Sequence, residues 1–382
     1  MENWRLGGFG LYIHWPFCQS KCPYCDFNSH VAEQIDQERW KRAYFAELER
    51  AAVPTNDRIL QTVFFGGGTP SLMDGRLVAA ILEKVRSLWT MVNDPEITLE
   101  ANPTSVEKSR FHEFKAAGVN RLSLGLQALD DHSLRLLGRS HSADDALRAY
   151  DLARRTFPRS SFDLICARQG QTLRDWQREL TSALDLSPDH LSLYQLTIED
   201  GTVFGRRHAA GQLHGLPSED LAADLYLLTQ ELCQAAGLRA YEVSNHARPG
   251  EECRHNQVYW RQGDYIGVGP GAHGRMTLDG QRWATEAIRA PAQWLRDAES
   301  AAGALRAEAL TQEDCGNEYL LMGLRLEEGI DLERYESLTG QPTNPSKIAA
   351  LQQSGHLVVE SGRLRVTPPG RILLNSVIKA LL

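Results

Sequence analysis

Three cysteines within eight residues constrain this chain more than any other feature of its sequence. Cys18, Cys22 and Cys25 form a C-x3-C-x2-C motif directly after a β-like run at residues 11–14. The other four cysteines are scattered and the total of seven is odd, so the pattern does not predict a disulfide framework. Three thiolates on one loop can ligate three irons of a [4Fe-4S] cluster, whereas four cysteines close the usual electron-carrying cluster. We therefore expect a cluster with one iron left open for a ligand.

A zinc ion bound by the same cysteines is the alternative, with His14 or His30 as the fourth ligand. Zinc motifs usually combine one C-x2-C pair with a second, distant pair. The remaining cysteines of this chain are isolated from one another, so no second pair exists. The motif therefore favours the iron–sulfur cluster.

Length and charge narrow the class of protein. A chain of 382 residues predicts one large domain and a smaller one. The net charge of -8 argues against general nucleic-acid binding, which needs a positive surface. The sequence has no apolar run long enough to span a membrane and no secretory signal, so we expect a cytoplasmic protein without an integral membrane segment. The sequence is also compatible with peripheral association of the protein with a membrane.

The first two-thirds of the chain alternates short β-like runs with longer helical patterns. Such alternation predicts a parallel sheet with helices outside it, and six units fit an incomplete (β/α) barrel better than an eight-fold one. The functional site is then expected at the C-terminal ends of the strands. The predicted strands are 11–14, 62–65, 97–101, 121–125, 162–166 and 190–194, and the predicted helices are 37–51, 74–91, 107–117, 142–156, 172–185 and 218–236.

The pattern changes after residue 240, and we divide the chain into a barrel at 1–240, a connecting region at 241–310 and a C-terminal module at 311–382. Within the connecting region, the glycine-rich 267–274 segment predicts irregular structure or short strands, and the alanine-rich 284–310 segment predicts helix. The C-terminal module predicts two helices, a two-stranded wing at 357–367 and a last helix, which is a winged-helix-like arrangement.

The segment from Tyr12 to Cys25 closely resembles the radical S-adenosylmethionine (SAM) superfamily, and its surroundings resemble the oxygen-independent coproporphyrinogen III oxidase-like branch. The resemblance covers nearly the whole chain, including the C-terminal module. It implies that SAM chelates the open iron through its amino and carboxylate groups, and that an electron from the cluster can cleave the cofactor. Both are expectations for this chain.

The resemblance also implies a set of SAM-binding residues. Consecutive glycines let the backbone approach a ligand closely, and they follow the second predicted strand. Polar residues lie at or near the ends of the later strands, where side chains reach the site. The residues implied to bind SAM are Tyr12, Tyr24, Gly67, Gly68, Thr69, Glu100, Gln127, Arg139 and Asp163. One departure concerns the last of these: the family usually continues its fifth strand with Gly-Leu-Pro-Gly-Gln, and this chain has Cys166-Ala-Arg-Gln-Gly-Gln171 instead.

Two branches of the family share these features, the coproporphyrinogen III dehydrogenases and the HemW-like haem chaperones. The dehydrogenases carry a fourth cysteine two residues after the third, where this chain has Phe27. The segment from His255 to Trp260 matches the H-N-x-x-Y-W motif of the haem chaperones. The resemblance therefore favours a haem chaperone with His255 as haem ligand, and Cys253 and His273 are the alternatives.

The implied partners are haem and the apo-haemoproteins that receive it, together with a second copy of the chain as a homodimer. A winged-helix regulator that senses iron or redox state is a hypothesis from a different class. It requires a basic recognition helix, and the wing region supplies only Arg363, Arg365 and Arg371. Nucleic acid is therefore not expected as a partner.

Overall fold

The computed structural model describes residues 4–32, 34–104 and 109–382. Among them, one mixed twelve-stranded sheet forms the large domain, and a second, three-stranded sheet belongs to the C-terminal module. The strands are β1 (Phe9–Trp15), β2 (Phe17–Cys18), β3 (His30–Val31), β4 (Ile59–Gly67), β5 (Thr90–Ala101), β6 (Arg121–Gln127), β7 (Arg159–Cys166), β8 (His190–Gln195), β9 (Arg239–Ala240), β10 (Asn245–Ala247), β11 (Asp264–Val268), β12 (His273–Leu278), β13 (Gln281–Ala287), β14 (Leu305–Ala309), β15 (Ile330–Asp331), β16 (Leu357–Glu360) and β17 (Arg363–Val366).

Helices connect most of these strands, and 3-10 turns form at Trp4–Leu6 and Pro70–Leu72. The helices are α1 (Gln37–Ala52), α2 (Gly75–Leu88), α3 (Phe111–Ala117), α4 (Asp131–Leu136), α5 (Ala143–Thr156), α6 (Leu173–Asp185), α7 (Val203–Ala209), α8 (Glu219–Ala235), α9 (Arg254–Trp260), α10 (Pro291–Ala298), α11 (Gln312–Gly323), α12 (Leu332–Thr339), α13 (Pro345–Gln353), α14 (Pro368–Ile372) and α15 (Leu374–Leu381). Within the described ranges, no helix is long and apolar enough to cross a membrane.

The sheet is an open (β/α) barrel with antiparallel strands at both edges. Its order is β14-β13-β12-β11-β1-β4-β5-β6-β7-β8-β10-β9, and the seven strands from β11 to β8 run parallel. The two terminal strands, β14 and β9, do not pair with each other. The incomplete barrel that the sequence predicts is therefore confirmed, and all six predicted barrel strands are present.

Burial and capping explain why these segments fold as they do. The central strands are apolar on both faces because helices and loops cover both sides of a parallel sheet, and six of the seven residues of β1 are buried. Helix starts are satisfied by side chains: Ser142 and Asp145 form a reciprocal capping box at α5, and Thr172 and Asp175 form another at α6. Gly118 ends α3 with a left-handed φ of 112°. The first residues of the helix expected at 107–117 lie outside the described residues.

The segment at 241–310 contributes five strands to the barrel sheet, β10 next to β8 and β11 to β14 on the side of β1. β11 pairs in parallel with β1, so this segment extends the edge of the barrel on which the cysteine loop begins. The helix expected over 284–310 is wrong: the structure has β13, the short helix α10 and β14 there. Helix α10 packs through Trp294, whose ring stacks on Trp40 of α1 at 5.3 Å and 8°.

The C-terminal module has its own apolar core and a wing of three strands. Leu320, Leu324, Ile330 and Leu364 are among its buried residues. The order β15-β17-β16 adds one strand to the predicted wing, and α12 adds one helix to the prediction.

The wing arginines serve the module itself. Arg363 donates to the carbonyls of Glu328 and Gly329, and Arg365 pairs with Glu360. Arg371 donates to the Arg325 carbonyl at 2.9 Å. These internal partners do not favour the nucleic-acid regulator hypothesis.

Candidate functional site

A cavity of about 440 Å³, the first cavity, lies at the C-terminal ends of the parallel strands. The cysteine loop closes one side of it, and the ends of strands β4 to β8, together with segments such as 138–141, form the rest of the wall. Of the predicted site residues, those that line this cavity are Cys18, Cys22, Tyr24, Cys25, Gly67, Gly68, Thr69, Glu100, Gln127, Arg139 and Asp163. The structure thus brings together all predicted cluster and SAM residues except Tyr12.

The three cysteines are half-buried, and each has a polar neighbour. The Thr69 hydroxyl donates to Cys18 Sγ at 3.3 Å, and Arg139 Nη1 lies 3.4 Å from Cys22 Sγ. Cys25 Sγ is 3.9 Å from the Ser29 hydroxyl. Burial raises the pKa of the Cys18 and Cys25 thiols, and hydrogen bonds from Thr69 to Cys18 and from the Phe27 backbone and Ser29 to Cys25 oppose that rise. Donors directed at sulfur are what ligating thiolates require.

The residues fit a [4Fe-4S] cluster better than a single metal ion. Across the described parts of the chain, no three His, Cys, Asp or Glu side chains are grouped closely enough to hold one ion. Three thiolates that ligate three separate irons need not converge on one point. His14, one of the two candidates for the fourth zinc ligand, is 5% exposed, and its ring nitrogens lie 2.9 Å from the Asn28 carbonyl and 3.0 Å from the Tyr12 hydroxyl. This arrangement does not favour the zinc alternative.

The glycine segment at the end of β4 requires its glycines. Gly67 has a φ of +112°, and a Cβ atom there would lie 2.6 Å from the His14 ring. A Cβ atom on Gly68 would lie 2.7 Å from the Phe17 carbonyl oxygen. Any side chain would therefore push the loop away from the cysteine segment, and only glycine keeps the two backbones in contact.

Two carboxylates line the first cavity, Glu100 at the end of β5 and Asp163 on β7, with β6 between these two strands. Burial raises the pKa of Glu100 to about 8, and the negative charge of Asp163 adds to that rise. Burial also raises the pKa of Asp163 to about 6, which hydrogen bonds from Ser192 and Ser123 and the charge of Arg139 oppose. Burial makes the ionised form of both carboxylates less favourable, and a ligand with positive charge or hydroxyl donors would stabilise that form.

Arg139 connects the cysteine loop to the strand ends. Besides Cys22, it contacts the side chain of Asn102 and the Gly125 carbonyl, the latter at 3.0 Å. Asn102 in turn donates to the Thr69 hydroxyl at 3.1 Å. Gln127 follows an irregularity in the pairing of β6 with β7 and has a φ of +73°, which is rare for a residue with a side chain. Such a conformation places its side chain in the cavity at a cost in backbone energy.

The unusual loop after Asp163 is held by a buried ion pair. Arg168 contacts Glu179 of α6 through Nη1 at 3.1 Å and Nη2 at 2.5 Å. Gln171 Nε2 donates to the same carboxylate at 3.3 Å. With this loop sequence, Asp163 lines the first cavity.

A second cavity of about 410 Å³ lies beside the first, on the β11 side of β1. Tyr12 lines this cavity rather than the first one, so the structure does not place it with the other predicted SAM residues. The two cavities share part of their lining, namely Asp26, Phe27, Gly67 and Glu100.

The predicted haem ligand His255 does not line either cavity. It is 1% exposed, with Nδ1 2.7 Å from the Thr62 hydroxyl and Nε2 2.5 Å from the Tyr259 hydroxyl. Burial lowers its pKa to about 3, so its ring is neutral. Cys253 is also buried, and its thiol lies 3.5 Å from Glu96. His273 is exposed and lines the second cavity.

Several lining residues were missed by sequence reasoning. Asn102 lies in the Glu-Ala-Asn-Pro segment that ends the third predicted strand, and Tyr194 ends the sixth, so position at a strand end was the available signal. Arg289, in the second cavity, had no such signal because its segment was expected to be helical.

The parallel, open barrel and the three-thiol loop at its strand ends define a radical SAM protein. The Radical SAM superfamily model matches residues 12–182, and the HemN C-terminal domain model matches residues 310–373.

Relatives that match nearly the whole chain point to one branch. The "Heme chaperone HemW" of Escherichia coli (strain K12) is 36% identical over 99% of both chains. The "Radical S-adenosyl methionine domain-containing protein 1, mitochondrial" of Bos taurus is 40% identical over 97% of this chain and 87% of its own. The chain belongs to the HemW-like family of radical SAM proteins. The cytoplasmic location stays a prediction, because the name of the bovine relative places that protein in mitochondria.

A solved structure shares the fold over both domains. The coproporphyrinogen III oxidase HemN of Escherichia coli superimposes with a TM-score of 0.82, covering 98% of this chain and 89% of that one. Its sequence identity is 23%, so it supports the architecture and not the activity.

Proposed function

We propose that this protein is a haem chaperone, which binds haem and transfers it to apo-haemoproteins. The observation that carries the proposal is the 36% identity to a protein named as a haem chaperone, over 99% of both chains. Phe27 and the His255–Trp260 motif support the same branch, because a phenylalanine in the cluster loop supplies no fourth thiol.

We infer further that the first cavity binds a [4Fe-4S] cluster and SAM. Cys18, Cys22 and Cys25 would hold the cluster, which when bound supplies a single electron and one open coordination site. Gly67, Gly68 and Thr69 would present backbone and hydroxyl groups to the amino acid end of SAM. The other predicted SAM residues that line the cavity would contact its carboxylate, ribose or sulfonium, and these are Tyr24, Glu100, Gln127, Arg139 and Asp163.

The competing function is oxidative decarboxylation of coproporphyrinogen III, because HemN shares the fold. One anaerobic preparation separates the two. After reconstitution, iron and acid-labile sulfide are counted, haem is titrated by its Soret absorbance, and haem-loaded protein is mixed with an apo-haemoprotein such as apomyoglobin. We expect about four irons and four sulfides per chain, haem binding and haem transfer. Conversion of coproporphyrinogen III to protoporphyrinogen IX by the same sample would contradict the chaperone proposal.

The recipient protein, a homodimer and peripheral membrane contact stay predictions. Sedimentation of the reconstituted protein, with and without SAM, tests the homodimer. Flotation with lipid vesicles tests the membrane contact.

A further inference from the structure

The second cavity combines aromatic surface with an accessible imidazole and a cation. Tyr259 and Tyr265 lie edge to face at 4.4 Å on its wall. Phe27 lines both cavities, and 60% of its surface is exposed. Flat rings at the wall and mouth of a cavity suit a planar apolar ligand, and 410 Å³ is within the range of small-molecule sites.

His273 is the accessible histidine of this cavity. Its side chain is 55% exposed at the start of β12, and its nearest acidic partner, Glu286, lies 3.9 Å from Nε2, beyond hydrogen-bond distance. His14 also lines the cavity, but contacts at 2.9 Å and 3.0 Å already occupy its two ring nitrogens. Neutral imidazole nitrogen is a common axial ligand of haem iron.

His255 is placed to position Tyr259 rather than to reach a ligand. Its ring packs 5.0 Å from Phe64 and 4.6 Å from Tyr259, and its Nε2 contacts the Tyr259 hydroxyl. Iron ligation by His255 would first have to break that hydrogen bond and displace the Tyr259 ring. The buried imidazole instead fixes the orientation of an aromatic side chain that lines the cavity.

Arg289 supplies positive charge at the edge of the same cavity. It is exposed and follows β13 by two residues. Asp26 and Glu100 also line the cavity, so an anionic group on the ligand is favoured only near Arg289. Haem carries two propionates, and arginine binds carboxylates through paired hydrogen bonds.

Asn28 ties these groups to the cluster loop. Its side-chain amide donates to the Pro270 carbonyl at 2.9 Å and to the Arg289 carbonyl at 2.8 Å. The turn that carries His273 and the segment that carries Arg289 are therefore both held against the residues that follow Cys25. One side chain therefore holds together the two segments that supply His273 and Arg289 to the cavity.

We propose that haem binds in the second cavity, with His273 as iron ligand, Arg289 paired with a propionate and His255 as a positioning residue for Tyr259. This assignment rests on the proposed haem-chaperone function. It places the haem beside the SAM cavity, since both cavities share Gly67 and Glu100.

The test is haem titration of the reconstituted full-length protein and its variants. His273→Ala should weaken ferric haem binding at least tenfold and lose the histidine-ligated absorption and magnetic circular dichroism spectrum, and added imidazole should restore that spectrum. His255→Ala should weaken binding but keep the histidine-ligated spectrum. His208→Ala, an exposed histidine on α7, is the matched control and should bind like wild type.

Haem dimethyl ester, which lacks free propionates, tests the arginine. Arg289→Gln should lose several-fold affinity for haem and none for the ester. Wild-type affinity and spectrum in His273→Ala, or loss of the histidine-ligated spectrum in His255→Ala, would overturn this assignment while leaving the chaperone proposal intact. Absence of haem binding by the wild-type protein would overturn both.

Discussion

Replacing Arg168 with methionine removes the positive member of a buried ion pair next to the first cavity. The side chains of Arg168 and Glu179 are 7% and 8% exposed, and two contacts at 2.5 Å and 3.1 Å join them. Arg168 also lies 3.4 Å from the Gln127 carbonyl, so it braces the residue whose left-handed backbone faces the cavity.

The size of the stability loss depends on the hydrogen bonds that the Glu179 carboxylate keeps in the variant. Removing one partner of a buried ion pair costs about 3–5 kcal/mol, because the other charge is left buried and unpaired. Glu179 still accepts from the Leu129 amide at 2.7 Å and from Gln171 at 3.3 Å. We therefore expect the lower end, about 3 kcal/mol.

Thermal unfolding followed by circular dichroism measures this loss. At roughly 2–4 °C per kcal/mol, the barrel transition should fall by about 6–12 °C. The double variant Arg168→Met/Glu179→Leu should recover much of the loss, because it leaves no unpaired charge. Arg148→Met is the control, since Arg148 and Asp144 form an exposed pair on α5, and it should cost less than about 0.5 kcal/mol.

Two results would refute the reasoning. One is an Arg168→Met variant within about 1 kcal/mol of wild type, which is the range of a surface pair. The other is a double variant as unstable as the two single changes added together. Either result would mean that solvent reaches this pair.

Three further predictions concern the first cavity. Burial raises the pKa of Glu100 to about 8, so its carboxyl is mostly protonated at pH 7 and ionises as the pH rises. Because the ionised carboxylate is the better partner for the sulfonium or ribose hydroxyls, SAM binding measured by calorimetry should tighten between pH 7 and pH 9. Glu100→Gln should lose that dependence, and equal pH profiles for the two proteins would contradict it. Cys22→Ala should lose acid-labile sulfide and cluster absorbance yet keep the wild-type far-ultraviolet circular dichroism, because Cys22 lies outside the apolar core; retained sulfide would contradict this. Gly68→Ala should weaken SAM binding more than Gly170→Ala does, because only the former places a Cβ atom against backbone, and equal losses would contradict this.

Local sequence predicted the parallel strands and most helices because their signals are local. Apolar residues such as Leu11 and Ile13 are fully buried in the sheet, and capping boxes such as Ser142 with Asp145 mark where helices begin. The helix prediction for residues 284–310 was wrong because the structure of this segment depends on strand pairing and not on a local signal. Residues 305–309 read Leu-Arg-Ala-Glu-Ala, which favours helix by propensity. They form a strand of five exposed residues instead, because β13 pairs with them along its length.

Some residues of the candidate site could also be predicted from local sequence, and others could not. Residues at strand ends, such as Glu100 and Asp163, could be assigned from position alone because parallel strands end at one edge. The environments of Tyr12 and His255 could not. Tyr12 faces the second cavity and His255 is enclosed because β11 and α9 pack against the first strands, and no local pattern reports a pairing between residues about 250 positions apart.

The pairing of β1 with β11 also decides how the protein can be divided. The strand that leads into the cysteine loop has neighbours on both sides, β4 and β11. During synthesis, one edge of that strand stays unpaired until residue 268 has left the ribosome, and contacts of such long sequence separation form slowly. A fragment ending at residue 240 would keep all three cysteines but expose a long apolar edge, which is a template for aggregation. The smallest piece with the barrel sheet complete therefore ends at residue 309, after β14.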